Sequence, residues 1–437
     1  MLKTGDKIYR YAALGILGIA AALILLTFRD YGITWDEELQ SQYGLAVVDY
    51  YLSLFKDHRF NEIFNLYLYG GMFDGVASVF DRFTPFSLYE TRHLVNALFG
   101  LAGLWGTWRL GRLLGGGATG LLATTMLVLT PMYYGHMFNN PKDVPFAAGI
   151  VWSLYYMGRS FVLLPDVPRR TCIKLGIILG LTLGVRIGGV MLFGFWVGIL
   201  GLDALWRLAR ERQSFGILCR KYAVGTVIPV ALIAYAVMLA CWPWAQQNPI
   251  VNPLRALGEF SNFPQDVEVL LDGATHRSTQ LPWFYVPLYF GVQLPEFLLS
   301  LLLASLAILP PIWSAFDRPR RQLLALALTM ASFPIAYAML RRPALYDAVR
   351  HFLFVVPIAC IAAALTARQI VLWATAEFTC PWSRYAVKAA FALVALTVAA
   401  TQVAIMSRLH PYEYIYTNQF SGGVSGTFGR YELDYWG

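Results

Sequence analysis

Asp36, Glu37 and Glu38 follow Trp35 just behind the first long apolar run of the chain, residues 9 to 28. A run of about twenty apolar residues crosses a bilayer as a helix, so these acids fall at the water–lipid boundary. Carboxylates at that depth are costly to keep ionised without a partner or a task. An aspartate placed there can take a proton from a hydroxyl or amine as that group attacks. A neighbouring glutamate can orient it, bind a sugar, or share a divalent cation such as Mg or Mn through its oxygens. Solvated loop acids are the plainer alternative.

Three further groups could join them. The turn Asn139-Asn140-Pro141-Lys142-Asp143 is short, so its residues stay close to the membrane face. Lys142 can pair with a lipid phosphate, and Asp143 can serve as a second acid for substrate or metal. Ordinary turn chemistry and a helix cap at Asp143 explain the same residues. Arg186 interrupts apolar sequence between glycines, where an arginine must snorkel, pair or face a cavity. Arg341, Arg342, Asp347, Arg350 and His351 precede a late apolar run. Cations held there can receive a phosphate that leaves with negative charge; attraction to anionic headgroups is the alternative.

The elements that must position these residues are membrane helices. Of 437 residues, 57% are apolar and 14% charged, roughly half the charge of a soluble domain. Apolar runs predict an all-α polytopic membrane protein with about eleven crossings. They fall near 9–28, 93–111, 118–137, 144–164, 172–189, 190–206, 222–241, 288–313, 322–340, 352–367 and 387–406. Basic residues in short connections, such as Pro168-Arg169-Arg170 and Arg318-Pro319-Arg320-Arg321, put the N-terminus in the cytoplasm. The first helix lacks a small-residue cleavage site and reads as an anchor. The net charge of +8 is then mostly topology, and no basic cluster interleaved with aromatics suggests nucleic acid.

A membrane module over 1–406 is followed by a short extracytoplasmic tail, 407–437. Two long outer loops, 29–92 and 242–287, carry Tyr, Phe and Trp rather than disorder-promoting residues. In the first, Leu45, Val48, Leu52 and Phe55 share a helical face, the pattern of an amphipathic helix lying in the interface. Leu66 to Tyr69 continue it, Gly70-Gly71 reads as a hinge, and a further piece runs from Met72 to Phe83. The second loop has prolines and the run Leu281-Pro282-Trp283-Phe284-Tyr285, fitting a headgroup-level aromatic belt.

The histidines, His58, His93, His136, His276, His351 and His410, show no i,i+4 pair that would mark a zinc site. The five cysteines suggest neither disulfide nor metal cluster. No phosphate-cradling glycine loop or dinucleotide fingerprint occurs, so no nucleotide cofactor is expected. An activated donor would then reach the site from the membrane.

With these residues in view, the chain resembles the C-type glycosyltransferases that use polyprenyl-phosphate sugars. It is most similar to the branch holding the protein O-mannosyltransferases and the aminoarabinose transferase of lipid A. The likeness lies in helix number, orientation, the long first outer loop, and Asp36-Glu37 behind the first helix. Arg350-His351 with Pro357 resembles the branch's Arg-aromatic…Pro segment, with histidine where tyrosine is usual. Asn140-Pro141-Lys142-Asp143 is similar to its acid-bearing turn. The resemblance implies inverting transfer of a sugar to a lipid, glycan or protein acceptor. Asp36 would be the general base. Lys142, Arg186, Arg350 and His351 would hold the lipid phosphate. Glu37 and Asp143 would position the sugar, the acceptor or a bridging cation. It also implies an integral protein of the bacterial inner membrane, with its site facing the periplasm. A transporter or flippase is the rival, although it would place charges near the midplane, often in repeated halves; a lipid-binding membrane subunit is a third reading.

Overall fold

The computed structural model describes residues 4–261 and 266–433, and Asp434 to Gly437 of the expected tail lie outside the described residues. Every expected crossing has a helical counterpart, but among the described residues seven helices are long and apolar enough to cross a membrane by length and composition. They are Asp6–Thr27, Ile187–Arg210, Phe215–Ala240, Glu296–Ala315, Arg318–Arg341, Val355–Ala376 and Pro381–Leu409. The expected span 118–137 is two pieces, Gly117–Val128 and Pro131–Asn139. Pro131 has no N–H to continue the first piece and starts the second. Likewise Pro295 divides 288–313 into Tyr285–Gln293 and Glu296–Ala315.

Apolar side chains facing outward belong to the membrane reading. The helix Pro381–Leu409 buries only Gln402, while Leu393 and Leu396 are 66% and 68% exposed. Water alone would make so apolar a face costly. The centre is filled instead by Leu88–Gly115, Asp143–Leu163 and Val355–Ala376. Small residues on them, such as Gly103 and Ala148, allow the close approach that membrane helices use.

The first long loop is folded. Trp35–Leu52 is a helix, followed by short 3-10 turns at Arg59–Asn61 and Leu66–Leu68 and a helix Met72–Asp81. The expected apolar stripe splits: Val48 is buried, whereas Leu45, Leu52 and Phe55 face outward. The inward face is Tyr43, Ala46, Val47 and Tyr50. A buried ion pair, Arg92 Nη2 to Asp74 Oδ1 at 2.5 Å, ties Met72–Asp81 to Leu88–Gly115.

Gly70-Gly71 is a clamp rather than a hinge. Gly71 N–H donates to the Cys241 carbonyl at 3.0 Å, and Met72 N–H to the Gly184 carbonyl at 3.1 Å. A methyl group on Gly70 would overlap the Gly184 carbonyl. This close approach brings Tyr69 beside Arg186. Gly70→Ala is therefore expected to move the loop, lowering the unfolding temperature in detergent and reducing ligand binding at the adjacent pocket by about tenfold or more; unchanged binding would dissociate the clamp from the site.

The second loop departs from all-α. Strands Glu268–Leu271 and Ala274–Arg277 pair antiparallel, Glu268 opposite Arg277 and Leu271 opposite Ala274. Asp272 and Gly273 join them with φ of 49° and 82°, the positive angles a two-residue hairpin turn requires. The tail folds back on this hairpin: Gly273 N–H donates to the Arg430 carbonyl at 2.9 Å, and Arg430 pairs with Asp272.

Candidate active site

Thr34, at the N-cap of Trp35–Leu52, explains which acid faces the site. Its backbone N–H donates to Glu37 Oε2 at 2.8 Å, closing a capping box. Glu37 also meets His93 Nε2 at 3.0 Å and is 1% exposed. Neighbours on a helix project about 100° apart. With Glu37 turned to its cap, Asp36 turns the other way, and Leu39 and Gln40 share its face. Thr34 Oγ1 also lies 3.5 Å from the Asn139 carbonyl. Tyr31 stacks on Phe138 at 3.9 Å between centroids, and its hydroxyl donates to Glu413 at 2.9 Å. The start of the first loop is thereby docked on the Asn139–Asp143 turn.

A cavity of about 400 Å³ opens there, lined by Asp36, Gln40, Tyr69, Asn140, Lys142, Asp143, Arg186, Tyr346, Asp347, Arg350, His351 and Glu432 among others. Its polar groups come from helix ends at one end of the bundle. Asp36 opens one helix and Asp143 another. Arg186 lies in extended backbone (φ −142°, ψ 127°) between two helices. Arg350 opens a 3-10 turn leading into Val355–Ala376.

Arg350 holds two carboxylates, with Nη1 3.2 Å from Asp36 Oδ2 and Nη2 2.8 Å from Asp347 Oδ2. Arg186 Nη2 pairs with Asp143 Oδ1 at 2.8 Å, and the Asp143 N–H donates to Asn140 Oδ1 at 3.1 Å. Lys142 differs. Among the described residues it has no ion pair, and its ammonium lies 4.3 Å from the centre of the Tyr69 ring. Arg186 also faces that ring at 5.9 Å. Burial depresses the Lys142 pKa, against the pull of Asp36 and Asp74.

Burial would raise the Asp36 pKa, but Lys142 and Arg350 overcome it and hold the carboxyl below its ordinary value. Asp36 is thus a carboxylate at neutral pH, and its side chain remains 41% exposed. His351 is lowered to about 3 by burial and then by Arg350. It lies edge-on to Tyr346 at 5.0 Å and offers a neutral ring. Asp347 is raised to about 6 and Glu432 to about 7, burial being the largest cause for each.

Of the expected site residues, Asp36, Lys142, Asp143, Arg186, Arg350 and His351 line one cavity. Glu37 does not; its carboxylate serves the helix cap and His93. Arg341 and Arg342 are exposed and outside the lining. Among the described residues, no group of three or more His, Cys, Asp or Glu side chains is placed to hold a metal ion. Glu37 points elsewhere and Asp143 is already bound to Arg186, so a divalent cation shared by this pair does not fit the donor set.

Sequence reasoning passed over Tyr69, Tyr346, Gln40 and Glu432. Gln40 had a signal, the i,i+4 spacing from Asp36. Glu432 had none nearby, since long-range contacts place it: the Tyr285 and Tyr289 hydroxyls lie 3.2 and 3.4 Å from its Oε2.

Glu432 and Asp347 also set a pH dependence. Each holds its proton more tightly folded than unfolded, so rising pH costs stability between the ordinary carboxylate range and about 6 for Asp347, or about 7 for Glu432. Above that window the contribution is flat. Glu432→Gln should flatten the unfolding temperature between pH 5 and 8 by roughly 1–3 °C; heat unfolding in detergent checks it, and an unchanged slope would locate the effect elsewhere.

No protein-family model matches the sequence, and no curated protein sequence matches it either. Solved structures share the fold. ArnT from Cupriavidus metallidurans bound to undecaprenyl phosphate aligns with a TM-score of 0.53 at 14% identity, over 95% of this chain and 77% of that one. The oligosaccharyltransferase of Archaeoglobus fulgidus in its apo form aligns at 0.57 and 11% identity, over 93% of this chain and 56% of that one. The same archaeal enzyme, AglB, in complex with an inhibitory peptide and a dolichol-phosphate aligns at 0.56 and 13%, over 92% and 56%. Another structure of it is a complex with Zn and sulfate. The chain thus shares its fold with these polytopic membrane proteins.

Proposed function

We propose that this chain is a membrane glycosyltransferase that moves a sugar from a polyprenyl-phosphate donor to an acceptor at the extracytoplasmic face. The observation that carries the reading is the pocket itself. A carboxylate kept ionised by two cations, Asp36, lies in one cavity with Lys142, Arg186 and Arg350. The fold it shares with a protein solved bound to undecaprenyl phosphate supports a lipid phosphate as the anion.

The chemistry follows from these groups. The acceptor hydroxyl or amine donates its proton to Asp36 as its lone pair attacks the anomeric carbon. The bond from that carbon to the phosphate oxygen breaks, and the lipid phosphate leaves with the electron pair. Attack opposite the leaving group inverts the anomeric centre. Lys142, which makes no direct ion pair among the described residues, supplies positive charge to the phosphate together with Arg186 and Arg350. His351 contributes a neutral hydrogen bond. Asp143 holds Arg186 in place instead of meeting the acceptor. The outward apolar side chains Leu45, Leu52 and Phe55 would rest on the lipid surface and bring the donor to the cavity.

Purified chain in lipid nanodiscs, given undecaprenyl-phosphate sugars and cell-envelope extract, should produce free undecaprenyl phosphate and a glycosylated acceptor by mass spectrometry. Substrate-dependent flux across liposomes with no covalent product would favour a transporter and overturn the reading.

A further inference from the structure

Gln40 is the one lining residue whose buried side-chain amide has both polar atoms unpartnered among the described residues. It is 1% exposed, and neither Oε1 nor Nε2 has a hydrogen-bond partner. It lines the same cavity as Asp36, one helical turn further along Trp35–Leu52 and on the same face. Buried polar groups are rarely left unpaired, and an amide lacking both its bonds needs a reason. A methionine or leucine would fill the position without that cost. Asn140, also in the lining, makes the contrast: its Oδ1 accepts the Asp143 N–H, and its Nδ2 is 3.4 Å from His136 Nδ1.

The unpaired atoms define the missing partner. Nε2 can only donate and Oε1 can only accept. A phosphate offers acceptors alone and would leave Oε1 orphaned. An apolar lipid chain would satisfy neither. Adjacent hydroxyls offer both roles at the spacing of a carboxamide. We propose that Gln40 is a specificity-determining residue, whose carboxamide grips neighbouring hydroxyls of the sugar carried by the lipid-phosphate donor. This rests on the glycosyltransferase reading, and it divides the cavity: Lys142 with the arginines takes the phosphate, and Gln40 takes the sugar one turn below Asp36.

The test is binding by the full chain in detergent micelles. The probes are undecaprenyl phosphate and undecaprenyl phosphate bearing glucose, mannose or arabinose. The wild type should bind at least one sugar-bearing lipid more tightly than the bare lipid phosphate. Gln40→Met should keep the affinity for undecaprenyl phosphate and the unfolding temperature. It should lose about tenfold in affinity for the preferred sugar-bearing lipid. Gln40→Leu, which removes both polar atoms without adding a charge, should show the same selective loss and covers the case where Gln40→Met does not fold. A sugar preference unchanged in the variants, equal weakening of both probe types, or no sugar preference in the wild type would each overturn the assignment while leaving the lipid-phosphate site intact. A wild type that binds neither bare nor sugar-bearing lipid would instead overturn the glycosyltransferase reading, and the Gln40 assignment with it.

Discussion

Asp36→Asn should lower sugar transfer by about 10²- to 10⁴-fold, the range general base catalysis contributes, with lipid-phosphate binding retained. Asparagine keeps the size and one acceptor oxygen but cannot take a proton at neutral pH. Removing this charge also releases Arg350 from one of its two carboxylates, so bound lipid phosphate should be held equally well or more tightly. The expected signature is a fall in kcat without a rise in KM for the donor. Single-turnover transfer and binding of undecaprenyl phosphate, measured on the same preparation, check both halves. A variant that transfers at the wild-type rate would remove Asp36 from the reaction. Glu37→Gln provides the contrast. Glu37 sits outside the cavity, bound to Thr34 and His93, so its loss should act first on stability.

That contrast shows how far the sequence was legible. Asp36-Glu37 at the first helix end was visible as a charged boundary pair. Which of the two faces the cavity was also within reach: threonine three residues before glutamate is a capping-box spacing, and helical geometry then turns Asp36 and Gln40 to one side together. The helix interruption around Arg186 was marked by its glycines, and the structure shows why they are needed there. Gly184 packs backbone to backbone against Gly70, and that contact fixes Tyr69 beside Arg186. The hairpin had an Asp-Gly signal at Asp272-Gly273 flanked by apolar residues, overlooked because the surroundings read as helical membrane sequence. Proline breaks at Pro131 and Pro295 were legible too. Glu432 was not, because its position depends on contacts with Tyr285, Tyr289 and Ala348 far away in the chain. Local pattern found the groups on helix ends; only the tertiary fold could add the tail.

Arg350→Ala should be the most damaging single substitution among the pocket cations. The guanidinium spans Asp36 and Asp347 in two separate contacts and packs against the Tyr346 ring at 5.3 Å. Its removal leaves two carboxylates in a partly buried cavity with one fewer cation. Breaking a buried pair typically costs about 3–5 kcal/mol; with Asp36 half-exposed, the lower end or less is expected here. Because Arg350 helps to keep Asp36 ionised, its loss raises the Asp36 pKa as well as weakening the hold on phosphate. Transfer should therefore fall by about 10²-fold or more, and the acid limb of the pH–rate profile should move upward. Arg350→Lys should recover little, since a single ammonium cannot reproduce the planar fork that meets two carboxylates. A double-mutant cycle separates the two roles. If Arg350 works through Asp36, adding Arg350→Ala to Asp36→Asn should cost transfer much less than it does in the wild type. Full additivity of the two losses would mean that the observed 3.2 Å contact has no part in setting the base, and that Arg350 acts on the phosphate alone.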